Sequence, residues 1–187
     1  MIKLIGTILI VSVTNVFGQG IESNDIKRKA RPTLGLYDYK ISGDTLTLVA
    51  SSKFLYYPFG LFNNDKDLKK KYVNILYKVD KEDRTISYLI HVDSYVKFFY
   101  DIDKKTFEIV YARILDSNLI LTNGTKNGMT KKELFNNFFV APLDKIDKIK
   151  ILKLESTVTG IWHYYKFDKD VLVSFYLDTD YQIDKGL

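Results

Sequence analysis

The chain has 187 residues, with 28 Lys and Arg against 23 Asp and Glu, a formal charge of +5, and no cysteine. The missing cysteine excludes disulfides, thiolate metal sites and a cysteine nucleophile together. The excess of charge is small and interspersed: Lys69-Lys70-Lys71 follows Asp65 and Asp67, and Lys145, Lys148 and Lys150 alternate with Asp144 and Asp147. A mixed solvated surface therefore fits better than the one-sided basic stripe of a nucleic-acid binder.

Met1-Ile2-Lys3 reads as a positive n-region, and Leu4 to Val13 as an apolar h-region too short to span a bilayer. With Val16-Phe17-Gly18 behind it, this predicts a signal peptide over 1–18, cleaved near Gly18/Gln19. The competing reading is an uncleaved N-terminal anchor. Cleavage would leave 169 residues at a charge of +4, enough for one domain with a proper core. No further run approaches transmembrane length, so no integral span is expected after cleavage. An exported chain without disulfides points to a bacterial periplasm or cell exterior, and the lipid-accepting cysteine of a lipoprotein is absent.

Residues 19–33 are polar and charged and predict a flexible lead-in, followed by a single α+β domain over 34–187. Leu34 to Ile41 and Thr45 to Ala50 flank Ser42-Gly43-Asp44 as a hairpin. Lys53 to Phe62, broken by Pro58 and Gly60, predicts a loop. Asn63-Asn64-Asp65 offers caps for a short helix to about Tyr72. Tyr72–Val79, Ile86–Val92, Tyr95–Ile102 and Phe107–Ile114 alternate as strands of an antiparallel meander. Its buried face is read as Ile86, Tyr88, Ile90 and Val92, with Val96, Phe98, Tyr100 and Ile102 likewise. Asn123-Gly124-Thr125 matches a glycosylation sequon but is more simply a turn.

The strongest local signal lies at 128–139. Thr130 and Glu133 have capping-box spacing, and Met129 and Leu134 stand where a hydrophobic staple forms. Leu134, Phe135, Phe138 and Phe139 fall on one helix face, with Pro142 as the stop. Ile149–Leu154, Val158–Phe167 and Val171–Leu177 follow as strands. The expected architecture is an antiparallel sheet with one or two short helices on one face. A tandem helix-plus-sheet repeat over 53–115 and 123–180 is the further organisation, resting on shared pattern and not on shared sequence.

Gly128-Met129-Thr130-Lys131-Lys132-Glu133-Leu134, then Trp162-His163-Tyr164-Tyr165-Lys166-Phe167 and Val171-Leu172-Val173-Ser174-Phe175, resembles the SmpA/OmlA (BamE-like) envelope proteins. It is also similar to the wider β-lactamase-inhibitor-protein-like fold. The resemblance covers about Asn127 to Asp178. It implies a binding role against envelope machinery or a partner's groove, without catalysis. Three features depart from that pattern: the absent lipid-bearing cysteine, no second Gly-Met-Thr signature, and no clear second helix after Pro142.

No catalytic motif is recognisable, and no cofactor is called for. The two histidines, His91 and His163, read as strand-surface or interface residues. The pairs Asp65/Asp67, Asp101/Asp103 and Asp178/Asp180 read as turn residues before they read as calcium or acid–base sites. The remaining signal is aromatic: 14 Tyr, 12 Phe and one Trp. Tyr56, Tyr57 and Phe59 either fold down over one end of the sheet or, with Trp162 and Tyr164, form a contact surface. The leading expectation is a non-enzymatic binding protein of the envelope, with an envelope protein as partner. The alternatives are a glycan-binding module with an aromatic platform and a carboxylate-based hydrolase.

Overall fold

The computed structural model describes residues 23–158 and 160–186, so the expected signal segment lies outside the described residues. The fold is α+β. All nine strands join one sheet in the order β1-β2-β7-β8-β9-β6-β5-β4-β3. They span Leu36–Ser42 (β1), Thr45–Ala50 (β2), Leu76–Val79 (β3), Ile86–His91 (β4), Ser94–Asp101 (β5), Thr106–Ile114 (β6), Ile151–Ser156 (β7), Ile161–Asp168 (β8) and Val171–Thr179 (β9). The expectation of a purely antiparallel sheet is corrected at one place: β2 and β7 run parallel. Antiparallel hairpins need only a tight turn, whereas this parallel pair is joined by the long excursion through β3 to β6.

Four short helices, Ser23–Lys29 (α1), Lys53–Tyr56 (α2), Asp65–Lys71 (α3) and Lys131–Phe138 (α4), contribute to one core on one face of the sheet. The two halves have a common plan. α3 leads into the meander β3-β4-β5-β6 and α4 into β7-β8-β9, and the last strand of each, β6 and β9, pair antiparallel at the centre. Both final hairpins turn on a left-handed lysine, Lys105 (φ 53°) and Lys169 (φ 52°). The halves differ in strand number, and β1-β2 completes only the second.

α4 forms as its sequence requires. The Thr130 hydroxyl accepts from Glu133 N–H at 3.2 Å, and the Glu133 carboxylate accepts from Thr130 N–H at 2.7 Å. Leu134, Phe135 and Phe138 are buried, and Met129 packs against the same core. Phe135 meets Phe167 at 6.3 Å and Phe138 meets Tyr165 at 6.0 Å between ring centroids. The backbone is tied at both ends. Thr130 bridges to Val171, with Gly128 N–H donating to Leu172 O at 2.8 Å; Phe139 bridges to Ala30.

That second bridge corrects two expectations. The helix ends at Phe138, four residues before Pro142, because Phe139 is drawn into extended pairing with the chain after α1. Arg31 N–H donates to Phe138 O at 2.8 Å and Arg31 Nε to Asn136 O at 2.9 Å, satisfying carbonyls that a helix end leaves open. Residues 23–33 are therefore no flexible lead-in: they form α1 and the 3-10 turn Pro32–Leu34, with Ile26 fully buried. After Pro142 the only helical piece among the described residues is the 3-10 turn Ile146–Lys148.

The meander also holds a correction. Val96 and Phe98 face the helices, but their β4 partners are Leu89 and Ser87, so Ile86, Tyr88 and Ile90 lie on the opposite face. Val92 and Ile102 leave the strands altogether and are exposed in turns. Ile86 and Tyr88 are nonetheless buried, which is why both faces of β4 read as apolar in one dimension. Asn123-Gly124-Thr125 is a turn, with Gly124 at φ 82° and its N–H bonded to Leu121 O. No helix among the described residues is long and apolar enough to cross a membrane.

Truncating Phe138 to alanine is expected to cost about 3–5 kcal/mol, as for other buried aromatics. Thr130→Ala should remove only the cap, about 1 kcal/mol. Urea denaturation of both variants checks the ratio; equal losses would contradict the anchoring role of the Phe138 ring.

Candidate functional site

The sheet face without helices carries two rows of polar and aromatic side chains, set by strand register. One row across β7, β8, β9, β6, β5 and β4 is Glu155, Trp162, Asp178, Tyr111, Lys97 and Tyr88. The adjacent row is Lys153, Tyr164, Tyr176, Arg113, Tyr95 and Ile90. Side chains alternate between faces along a strand, which places Trp162 and Tyr164 here while His163 and Tyr165 point into the core. Trp162, Tyr164 and Tyr176 are half-buried, as amphipathic rings are when packed side by side with one face to solvent. Lys153 Nζ lies 5.6 Å over the Tyr164 ring and pairs with Glu155 at 2.9 Å. Arg113 is exposed and makes no ion pair among the described residues.

The chain after β9 turns back over part of this face. Tyr181 packs on Phe99 at 6.4 Å and donates its hydroxyl to Glu108. The Tyr95 hydroxyl donates to Lys185 O at 2.9 Å, and Lys97 Nζ donates to Asp184 O and Gly186 O. Lys97 is buried beneath that segment with its ammonium 5.1 Å from the Tyr88 ring. The covered part lies over β4 to β6; the part built on Trp162, Tyr164 and Tyr176 stays open.

The aromatic loop is divided between two environments. Ser52 caps a single turn, α2, by accepting from Phe54 N–H at 3.3 Å. Phe54 leans on Phe138 and His163, Leu55 is buried, and Phe59 is sealed in the core against Tyr72, Phe98 and Phe175. Phe59 is therefore no surface residue. Tyr56 and Tyr57 remain half-buried and, with Tyr181, wall a cleft of about 470 Å³ at the end of the sheet. Its floor and rim include Ile109, Ile161, Val158, Glu108, Asp180 and Lys104. Trp162 and Tyr164 are not among the residues that line this cleft.

The histidines are separated by three strands, β9, β6 and β5, or about 19 Å of sheet at ~4.8 Å per strand. His91 is half-buried and stands 3.3 Å from Asp116. His163 is fully buried, correcting its expected surface position. The Leu55 carbonyl, 3.0 Å from Nε2, can only accept, so Nε2 carries the proton and Nδ1 accepts from the Tyr165 hydroxyl at 3.3 Å. Burial lowers its pKa to about 3. No group of three His, Asp or Glu side chains suited to a metal occurs among the described residues.

Asp65/Asp67 and Asp101/Asp103 sit in a cap and a turn, whereas Asp178, expected in a turn, lies within β9 with Asp180 just beyond it. Asp101 accepts from the Lys104 N–H, which chiefly holds its pKa below the usual carboxylate value, and also from the Asp103 N–H. Asp65, lowered by its bond from Lys69, opens α3 beside Asp67, whose N–H is capped by Asn64. A general acid needs its pKa raised, and Asp65 and Asp101 are shifted the other way. Asp178 is tied to Lys185. Only Asp180 of these pairs reaches the cleft.

Lys131 was missed by sequence reasoning. It is 2% exposed at the start of α4, with Nζ bonded to Asp147 O at 3.1 Å, 3.5 Å from Asp170 and over the Phe167 ring. Its neighbours come from distant segments, so nothing in the local pattern announces it. Scans against family models and searches of curated proteins and of solved structures find no match to the chain.

His163 generates a pH prediction. Unfolded, its imidazole titrates near pH 6.5; folded, it stays neutral down to about pH 3. The depressed folded value means its contribution is complete above pH 6.5 and is lost as pH falls through that window. The limiting slope is about 1.4 kcal/mol per pH unit. Denaturant titrations from neutral pH downward should show this slope in the native chain and a shallower one in His163→Phe; parallel curves would contradict the buried neutral imidazole.

Proposed function

We propose that this chain is a non-enzymatic binding protein of the bacterial envelope. It engages a protein partner through the open sheet face around Trp162, Tyr164 and Tyr176. The observation that carries this reading is the uncovered row Lys153-Tyr164-Tyr176-Arg113, three adjacent half-exposed or exposed side chains beyond a paired lysine, left free of every helix. Rigid aromatic rings on strands give large contact area at little ordering cost, and such residues with Arg dominate binding energy at interfaces. The unpaired Arg113 and the net positive charge suit a partner with an acidic surface.

The resemblance of Asn127–Asp178 to SmpA/OmlA-type envelope proteins supports the same reading, as does the signal peptide expected from the sequence of residues 1–18. The cap and turn roles of Asp65/Asp67 and Asp101/Asp103 favour binding over hydrolysis.

The test uses the full mature chain as bait for envelope extracts, followed by titration with the purified partner. Trp162→Ala and Tyr164→Ala are each expected to preserve the unfolding midpoint within a few degrees and to weaken binding by about 30-fold or more, the scale of an interface hot spot. Tyr37→Ala, on the exposed edge strand β1, should bind normally. Undiminished capture by the Trp162 and Tyr164 variants would refute the proposed face, and salt-independent binding would refute the acidic partner.

A further inference from the structure

The cleft at the end of the sheet is lined by residues other than Trp162, Tyr164 and Tyr176. Three tyrosines reach it from separate segments: Tyr56 at the end of α2, Tyr57 just beyond it, and Tyr181 after β9. The Tyr56 hydroxyl bonds Ser156 at 2.9 Å, and Tyr181 is held by Phe99 and Glu108. The Tyr57 hydroxyl has no hydrogen-bond partner among the described residues, and Tyr57 also lines the shallower groove beside Leu61 and Asn123.

The rim is built to a close tolerance. Asp180 N–H donates to Gly160 O at 2.9 Å, and a Cβ added at Gly160 would stand 2.6 Å from the Asp180 side chain. Only glycine lets Asp180 seat there. The Asp180 carboxylate makes no ion pair among the described residues, whereas Glu108 is held by Lys104 at 2.6 Å.

Charge and polarity narrow the occupant. An anion would face the carboxylates of Glu108 and Asp180. A cation would meet the Lys104 ammonium at the rim and a positively charged chain. A wholly apolar ligand would strip water from Asp180 and the Tyr57 hydroxyl without replacing it, which is costly. A neutral ring with one C–H face and hydroxyls around its edge satisfies all three constraints. Its apolar face packs on the tyrosines, and its hydroxyls donate to Asp180 and accept from Tyr57 and Lys104. The volume lies within the range of small-ligand sites, about 300–1,000 Å³. We infer that this cleft binds a pyranose unit of a neutral glycan, stacked on Tyr57 and anchored by Asp180.

The experiment is amide NMR of the full mature chain titrated to about 10 mM, a range that registers millimolar affinity. The probes are neutral oligosaccharides of glucose, galactose, mannose and N-acetylglucosamine, with tetramethylammonium as the cationic probe. At least one sugar should shift Gly160, Asp180 and Tyr181. Tyr57→Ala should weaken that binding about tenfold, the value of one aromatic stacking contact. The isosteric Asp180→Asn, at an exposed position, should weaken it without altering stability, and Tyr37→Ala should leave it unchanged. Shifts by tetramethylammonium alone, no shift from any sugar, shifts confined to residues outside the cleft, or full affinity in both Tyr57→Ala and Asp180→Asn would each overturn the assignment.

Discussion

Everything else in this fold depends on how α4 is fastened across the sheet. Its apolar face supplies Leu134, Phe135 and Phe138 to the centre of the core, but burial is non-directional and does not by itself fix an axis. Direction comes from backbone pairing: Thr130 with Val171 at one end, Phe139 with Ala30 at the other. The first bond set couples the helix to the hairpin β8-β9, and the second couples it to α1 and the chain entering β1. One short helix therefore holds together segments that are more than a hundred residues apart in sequence.

Among the described residues the helices all lie on one side, and the nine-stranded sheet turns its other face to solvent. A solvated face of that extent tolerates Tyr, Trp, Lys and Arg better than aliphatic residues, because each has an apolar body and a polar end. The segment 180–186 covers part of the face and satisfies the buried ammonium of Lys97 with its own carbonyls. What remains open is the stripe on β8 and β9, and what remains hollow is the cleft where that segment departs. Both candidate surfaces thus follow from one-sided covering of the sheet.

Local patterns were read well wherever neighbouring residues decide the outcome. The capping box of α4, the hairpin turn at Ser42-Gly43-Asp44, the edges of β2 and the alternation that sends Trp162 and Tyr164 to one face all depend on residues within a few positions of one another. Reading failed where a distant segment intervened. Ile86 and Tyr88 look like a core face, yet the register with β5 turns them outward, where Lys97 lies over the Tyr88 ring. The polar residues 23–33 resemble a loose tail until Phe139 is present to pair with Ala30. His163, a polar residue between two aromatics, is buried because Leu55 O and the Tyr165 hydroxyl, one of them 108 residues away, satisfy its ring.

The amino-acid sequence by itself determined the α+β class, the absence of any thiol chemistry, the existence and caps of α4 and most strand positions, because period, capping and turn preference act over short range. Only the tertiary structure decided which strands are neighbours, the parallel pairing of β2 with β7, the burial of Phe59, His163 and Lys131, and the meeting of Tyr56 and Tyr57 with Tyr181 in one cleft. Those outcomes depend on long-range register and on which groups meet to satisfy a buried polar atom, and no local pattern carries that information.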